Sequence, residues 1–293
     1  MSMFRKYAAI SFIGIGAMLV QSCGGSEDEV RDVTEAESVA SVSYVVDENG
    51  SGRVFAKPFY KVEFDNTYKT AMVKMENVDW DPTTPAASYL LTDIAWKFNP
   101  DNDARVINCV KAVPAGTVTP VLSDVQITLF APLEDSETLG ALLVKYTADS
   151  RFKVTDIPLH TLFAGTTETI NTETDASFTS TKTTYEVIID YEKMIADVKV
   201  NGALFAQNMP PMNMVFPGIA VEMKDGGFVL NSERLIPTIN GDPFPRFAIT
   251  KFSMDVELQK ESRLYFECMG MNQVSPNNVS AFFEAVYLPS FSE

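Results

Sequence analysis

The chain alternates hydrophobic and polar residues with a period of two over many short segments. Residues 60–65 show this pattern, and residues 252–258 show it again near the other end of the chain. Such alternation predicts extended strands with one buried face and one wet face, which is typical of antiparallel sheets. Turn-forming residues separate the segments, for example at 99–103 and 224–227. The pattern therefore predicts an all-β fold without a long helix.

The predicted strands recur along the chain in the same order. Residues 60–65 recur at 185–190, and residues 106–109 recur at 229–232, with offsets of 125 and 123. Ordered matches over more than 60 residues indicate an internal duplication. We therefore predict internally duplicated antiparallel sheets, arranged as two β-sandwich or barrel-like repeats of about six strands each.

Changes in composition mark the predicted boundaries. Residues 23–40 are acidic and poor in large apolar side chains, so we predict a flexible tether there. The first β repeat is expected over 41–160 and the second over 185–293. Between them, the Thr-rich segment 161–184 is predicted as a linker with room for an edge strand at 177–181. Both one packed body and two separate lobes stay open.

An apolar run from Tyr7 to Val20 follows Arg5 and Lys6 and ends just before Cys23. A basic start, an apolar run and small residues at its end predict a signal peptide over residues 1–22. The stretch Val20-Gln21-Ser22-Cys23 resembles the lipobox of bacterial lipoproteins. This resemblance implies that the Cys23 thiol is acylated, with palmitate among its chains, and anchors the protein in a membrane.

The acidic run 27–29 directly follows this stretch. It resembles the export signal of surface lipoproteins of Bacteroidetes type, whose β-rich members include uncharacterised families. The resemblance implies an outer-membrane lipoprotein exposed at the cell surface. Removing residues 1–22 leaves 21 basic and 39 acidic residues, a net charge of −18, which argues against binding nucleic acid. The expected partners are the membrane, through the lipid on Cys23, and a ligand that is a glycan or an apolar small molecule. Oligomeric state and partner proteins stay open.

Histidines and cysteines suited to nucleophilic catalysis or metal binding are sparse, whereas carboxylates are plentiful. The only histidine is His160, and no nucleophile motif lies near it, so we predict no catalytic triad, no metal site and no cofactor. Asp79 and Asp81 flank Trp80, which leaves a carboxylate-dependent glycoside hydrolase as one alternative. The same stretch also suits a plain turn. A glycan-binding module is the other alternative, and its signature would be an exposed Trp80 and Trp96.

The stretch 208–218 is apolar although it contains three prolines. Proline disfavours helices and central strands, so this stretch is predicted as an irregular loop. Either the loop caps the core, which we favour, or it lines a ligand mouth. In the second case the ligand contacts are Met209, Met212, Met214 and Phe216.

These features predict a lipid-anchored envelope protein that is a non-catalytic binding or structural module, with apolar ligands as the first candidates. Apart from Cys23, the chain has two cysteines, Cys109 and Cys268. An oxidising compartment would permit them to pair. Cys268 shares the parity of Leu264 and Phe266, which predicts a buried thiol. Their pairing stays open.

Overall fold

The computed structural model describes residues 31–37, 41–55, 58–100, 104–112, 122–130, 142–258, 262–269 and 276–283. The predicted signal peptide and Cys23 lie outside the described residues. Within the described ranges the chain is built of antiparallel strands, and its helical content is one 3₁₀ turn, Pro245–Phe247. The predicted fold class, all-β with duplicated antiparallel sheets, is confirmed.

The first half of the chain forms a ten-stranded sheet that curls around its own core. Along the sheet the order is β1-β4-β5-β6-β7-β8-β9-β10-β2-β3. In chain order its strands are β1 Val33–Glu37, β2 Ser41–Val46, β3 Gly52–Phe55, β4 Phe59–Asp65, β5 Thr70–Val78, β6 Ala87–Asn99, β7 Ala104–Ala112, β8 Leu122–Phe130, β9 Leu142–Ala148 and β10 Phe152–Pro158.

The second half repeats this path with the order β11-β14-β15-β16-β17-β20-β21-β22-β12-β13. A small hairpin, β18–β19, is added beside β16. The strands are β11 His160–Ala164, β12 Thr166–Asn171, β13 Ser177–Ser180, β14 Thr184–Asp190, β15 Ile195–Ala203, β16 Met212–Lys224, β17 Gly227–Ser232, β18 Thr238–Ile239, β19 Asp242–Pro243, β20 Ile249–Glu257, β21 Ser262–Met269 and β22 Pro276–Phe283.

The two sheets share irregularities of the backbone as well as strand order. The β4–β5 and β14–β15 hairpins have the same register, and each following pair, β5–β6 and β15–β16, has two register shifts at matching places. A left-handed backbone costs a residue other than glycine about 1–2 kcal/mol, so such positions are rarely shared by chance. The left-handed positions that recur at an offset of 125 are Gly50 and Asp175, Lys69 and Met194, Asn77 and Gly202, and Asp93 and Gly218.

Each sheet has more strands than the six predicted, and some of the additional strands lie in two segments whose composition concealed them. Strand β1 lies within the predicted tether and pairs with β4. Strands β11, β12 and β13 occupy most of the predicted Thr-rich linker, 161–184. Threonine is β-branched and suits a strand, and Thr167 and Thr169 are buried. That segment is therefore part of the second sheet, and the expected edge strand at 177–181 is present as β13.

The stretch 208–218 also differs from the prediction, because Met212–Lys224 forms the central strand β16 in spite of Pro217. A bulge makes room for the proline: Val198 pairs with Phe216 and Ala196 with Ile219, so two residues face one. The second of these, Gly218, has a φ of +63° and donates its N–H to Asp197 Oδ1 at 2.8 Å. The missing N–H of proline thus falls where the ladder is already interrupted.

The two halves form one packed body. The core of the second half extends to residues of the first sheet, including Val42 on β2 and Ile157 on β10. As a result β10 is buried on both faces from Val154 onward. The β16–β17 turn of the second half reaches this junction, where Thr155 Oγ1 donates to Asp225 Oδ1 at 3.4 Å.

Candidate functional site

An open cavity of about 200 Å³ lies at one end of the first sheet. It is formed where the β2–β3 hairpin, the loop between β5 and β6, and the start of β10 meet. Its wall combines aromatic and aliphatic groups with two carboxylates, a hydroxyl and one guanidinium. The lining residues are Val45, Asp47, Ser51, Arg53, Phe55, Trp80, Asp81, Pro82 and Phe152.

Both carboxylates of the cavity also hold the turns that carry them. Asp47 Oδ1 accepts hydrogen bonds from the backbone N–H groups of Asn49 and Ser51, at 2.9 and 2.8 Å. Asp81 Oδ1 accepts from the backbone N–H of Thr83 at 3.0 Å and from its hydroxyl at 2.9 Å. Both bonds lower the pKa of Asp81, and the bond from the backbone N–H has the larger effect. Each acid therefore uses one oxygen locally, and the turn interpretation of 79–82 accounts for Asp81.

Both tryptophans are buried, which corrects the exposed-tryptophan signature expected of a glycan-binding module. Trp80 is 3% exposed and packs beside Tyr89, with ring centroids 6.5 Å apart. Trp96 is 4% exposed; its indole N–H donates to the carbonyl of Asp65 at 3.1 Å, and Lys69 Nζ lies 4.5 Å from its ring. Large indole faces gain from burial in these cores. Of the two, Trp80 lines the cavity.

The first core contains a buried acid that the sequence analysis missed. Asp156 on β10 is 3% exposed, and its Oδ1 accepts a hydrogen bond from Ser43 Oγ at 2.8 Å. The buried tyrosines Tyr60 and Tyr146 lie in the same cluster. Burial raises the pKa of Asp156 to about 7, against the opposing effect of the neighbouring Tyr60 and Ser43 hydroxyls. Asp156 shares the parity of the apolar residues Phe152 and Val154 on β10, and this parity is the signal that reveals it.

His160 lies outside the cavity, on β11 at the edge of the second sheet. Its Nε2 is 2.5 Å from Glu186 Oε1, and Lys199 Nζ reaches the same oxygen at 3.1 Å. The contact with His160 first, and then that with Lys199, lowers the pKa of Glu186 to about 2. The histidine therefore belongs to a polar cluster with Glu186 and Lys199.

The predicted ligand contacts of the Met-rich stretch divide into two groups. Met214 and Phe216 are buried in the second core, 2% and 0% exposed, and Phe216 packs edge-on against Phe252 and Phe266. Met209 and Met212 are half-buried and pack against that core from its edge. Met214 and Phe216 are thus core residues of the strand β16, not of a loop.

Cys109 and Cys268 belong to different cores and form no disulfide with each other. Cys268 is buried as predicted, and burial raises the pKa of its thiol to about 12. Among the described residues, no group of three or more His, Cys, Asp or Glu side chains is placed to hold a metal ion. The described ranges also contain no helix that is both long and apolar enough to cross a bilayer.

The chain matches no protein-family model, and no curated protein sequence matches it. Two crystal structures have weakly similar folds. One is a proposed outer membrane protein of Bacteroides fragilis, with 10% identity and a TM-score of 0.35, covering 85% of this chain and 96% of that one. The other is a point mutant of transferrin-binding protein B from Haemophilus parasuis, with 7% identity and a TM-score of 0.25, covering 87% and 78%. At these TM-scores neither similarity carries an argument about function.

Proposed function

We propose that this protein is a lipid-anchored outer-membrane protein whose β body stands at the cell surface as a non-catalytic binding module. The observation that carries the binding role is the cavity of about 200 Å³ in the first half, which combines apolar walls with a few polar groups. Ligand sites usually have this composition. The anchor is supported by the lipobox-like stretch that ends at Cys23.

The anchor is tested by changing Cys23→Ala in the full-length protein in cells. We expect the protein to move from the membrane fraction to the soluble fraction and to lose labelling by a fatty-acid probe, because two or three acyl chains are needed for stable membrane attachment. A Cys109→Ala variant serves as the matched control, since its thiol lies against the first core. Unchanged fractionation of the Cys23 variant would contradict the anchor.

Surface exposure is tested separately, by adding protease to intact cells. We expect the body to be removed, and we expect protection when Glu27, Asp28 and Glu29 are all replaced by alanine. Protection of the unchanged protein would contradict the surface location while leaving the anchor in place.

A second ligand role is supported by the half-burial of Met209 and Met212 at the edge of the second core. Flexible thioethers adapt to varied apolar partners, so this edge is the second candidate for contact with an apolar ligand. Titration with an apolar dye tests it, because replacing both residues by alanine should abolish binding while Met214 and Phe216 keep the core intact.

A further inference from the structure

The charged groups of the first-half cavity have no charged counterparts in the second half. Counterparts in the second sheet follow from the shared strand order and register. Asp47 corresponds to Asn171, whose Oδ1 also accepts two backbone N–H bonds and holds the equivalent turn. Arg53 corresponds to Phe178, and Asp81 to Ala206. The second half thus keeps the turn and lacks all three charges.

The aromatic wall also differs between the halves. Phe205 stands where the first half has Trp80, and it is covered by Phe247, whose ring stacks on it with centroids 5.8 Å apart. Phe247 belongs to the 3₁₀ turn in the connection between β17 and β20. In the second half an internal side chain therefore covers the aromatic position that lines the cavity in the first half.

The cavity offers hydrogen-bonding groups of both kinds. Asp47 and Asp81 line the cavity, and the bonds within their own turns go to Oδ1, so the second carboxylate oxygen of each is an additional acceptor. Arg53 is exposed at the rim, and among the described residues its guanidinium has no ion-pair partner. The guanidinium carries five donors and no acceptor, whereas a carboxylate is acceptor-only.

A ligand must satisfy the acids and the guanidinium together. An anion would meet two carboxylates in the lining, and the whole chain carries a net charge of −16. A cation would meet Arg53 at the rim. A hydroxyl group both donates and accepts, so a ring with several hydroxyl groups can donate to the carboxylates and accept from the guanidinium at the same time.

The size of the cavity limits the ligand to about one ring. Pockets for drug-sized ligands have volumes of about 300–1,000 Å³, and this cavity has about 200 Å³. The half-buried side chains of Phe55 and Phe152 supply apolar surface that the edges of a ligand ring can contact.

From this match we propose that the cavity binds one neutral pyranose ring, either a free monosaccharide or one residue of a glycan. Its hydroxyl groups donate to Asp47 and Asp81 and accept from Arg53. This inference rests on the proposed binding function of the same cavity and names its ligand class.

Tryptophan fluorescence provides a local readout, because Trp80 lines the cavity and the only other tryptophan is Trp96. In detergent-extracted mature protein carrying Trp96→Phe, a panel of neutral pyranoses is titrated, each alongside its uronic acid. We expect a saturable change in Trp80 emission with at least one neutral pyranose. Its uronic acid should bind at least tenfold more weakly.

Two variants and a matched control complete the test. Arg53→Gln and Asp47→Asn should each weaken binding at least tenfold, and the second substitution reproduces Asn171, whose side-chain oxygen holds the corresponding turn of the second half. Lys153→Gln removes a cation beside Phe152 that does not line the cavity, and should leave binding unchanged. Tighter binding of the uronic acid, equal binding by the Arg53 variant, or no response to any pyranose would overturn the inference.

The experiments can contradict the ligand class and the membrane anchor separately. A protein that is anchored and protease-accessible but gives no pyranose response contradicts the ligand class alone. If the protein responds to a pyranose but Cys23→Ala does not change its fractionation, the anchor alone is contradicted.

Discussion

The two halves have different side chains at the same interior position of the sheet. In the first half, Asp156 sits in the core with Ser43 and Tyr60. In the second half the corresponding residues are Ala281, Thr167 and Tyr185, and the Thr167 and Tyr185 hydroxyls hydrogen-bond to each other at 3.1 Å. A neutral hydroxyl pair satisfies a buried site without a titratable group, whereas a buried carboxyl carries a desolvation cost.

The fold therefore does not require an acid at this position, because the same strands with the same register pack around a neutral pair. The acid and the charged cavity occur in the same half. Tyr89 packs on Trp80 and belongs to the same core as Tyr146. The comparison thus assigns the polar specialisation of the molecule to its first half.

The largest expected effect is a dependence of stability on pH that comes from the first half alone. The folded pKa of Asp156 is about 7 and its ordinary value is 3.8, so the folded state holds the proton more tightly. Between about pH 4 and 7 the free energy of unfolding should therefore fall as pH rises, by on the order of 4 kcal/mol in total. Above pH 7 this contribution should be constant.

Urea unfolding of the unchanged protein and of Asp156→Asn, measured from pH 4 to 8, isolates this effect. The amide keeps an acceptor for Ser43 and has no proton to lose, so the difference between the two curves should grow up to pH 7. Glu186 titrates in both proteins and cancels. Parallel curves would show that Asp156 does not titrate in this range.

The next effect concerns Met214, which is buried in the second core, and Met212 two residues earlier, which is half-buried. Met214→Ala should lower the free energy of unfolding by about 3 kcal/mol, because it removes buried methylenes and leaves a cavity. Met212→Ala should cost clearly less. Thermal melts of the two single variants measure this difference in stability. Equal losses of stability would contradict the difference in burial.

A smaller difference is expected between two corresponding tyrosines. Tyr60→Phe removes a hydroxyl that lies beside a buried acid and should cost about 2 kcal/mol, whereas Tyr185→Phe removes a neutral partner of Thr167 and should cost about 1 kcal/mol. Both rings are fully buried, so packing is matched. The comparison is made by urea unfolding at pH 8, and a reversed order would contradict the assignment of the charged site to the first half.

The smallest effect tests the shared bulge. Gly218 has a φ of +63° and open space around its missing Cβ, and the corresponding residue of the first half is Asp93 with a φ of 56°. Gly218→Asp should cost less than about 1 kcal/mol, because short polar side chains tolerate this conformation, and Gly218→Val should cost about 1–2 kcal/mol. Melting temperatures of both variants decide it, and equal values would exclude backbone strain as the cause.

Much of the fold was predictable from the chain, because period-two alternation and the offset of 125 record strands and their duplication directly. The Thr-rich strands were not, since polar β-branched residues in 161–184 resemble a linker unless the burial of Thr167 is known. The strand at Pro217 was also not predictable from the sequence. The bulge that accommodates this proline depends on the register with the partner strand β15. The cavity joins residues 45–55, 80–82 and 152, and such distant pieces meet only through strand order.

The strand order also requires contacts between residues that are far apart in the sequence. Strand β2 has β10 as a neighbour, so Ser43 meets a residue 113 positions later, and β12 pairs with β22 across a comparable separation. Long loops must close before these contacts form, which slows folding. The hairpins β2–β3 and β12–β13 can form early, but they join their sheets only when the last strand of each half arrives. Each half therefore completes its sheet last at β10 and β22, and refolding should be slow at these two closing strands.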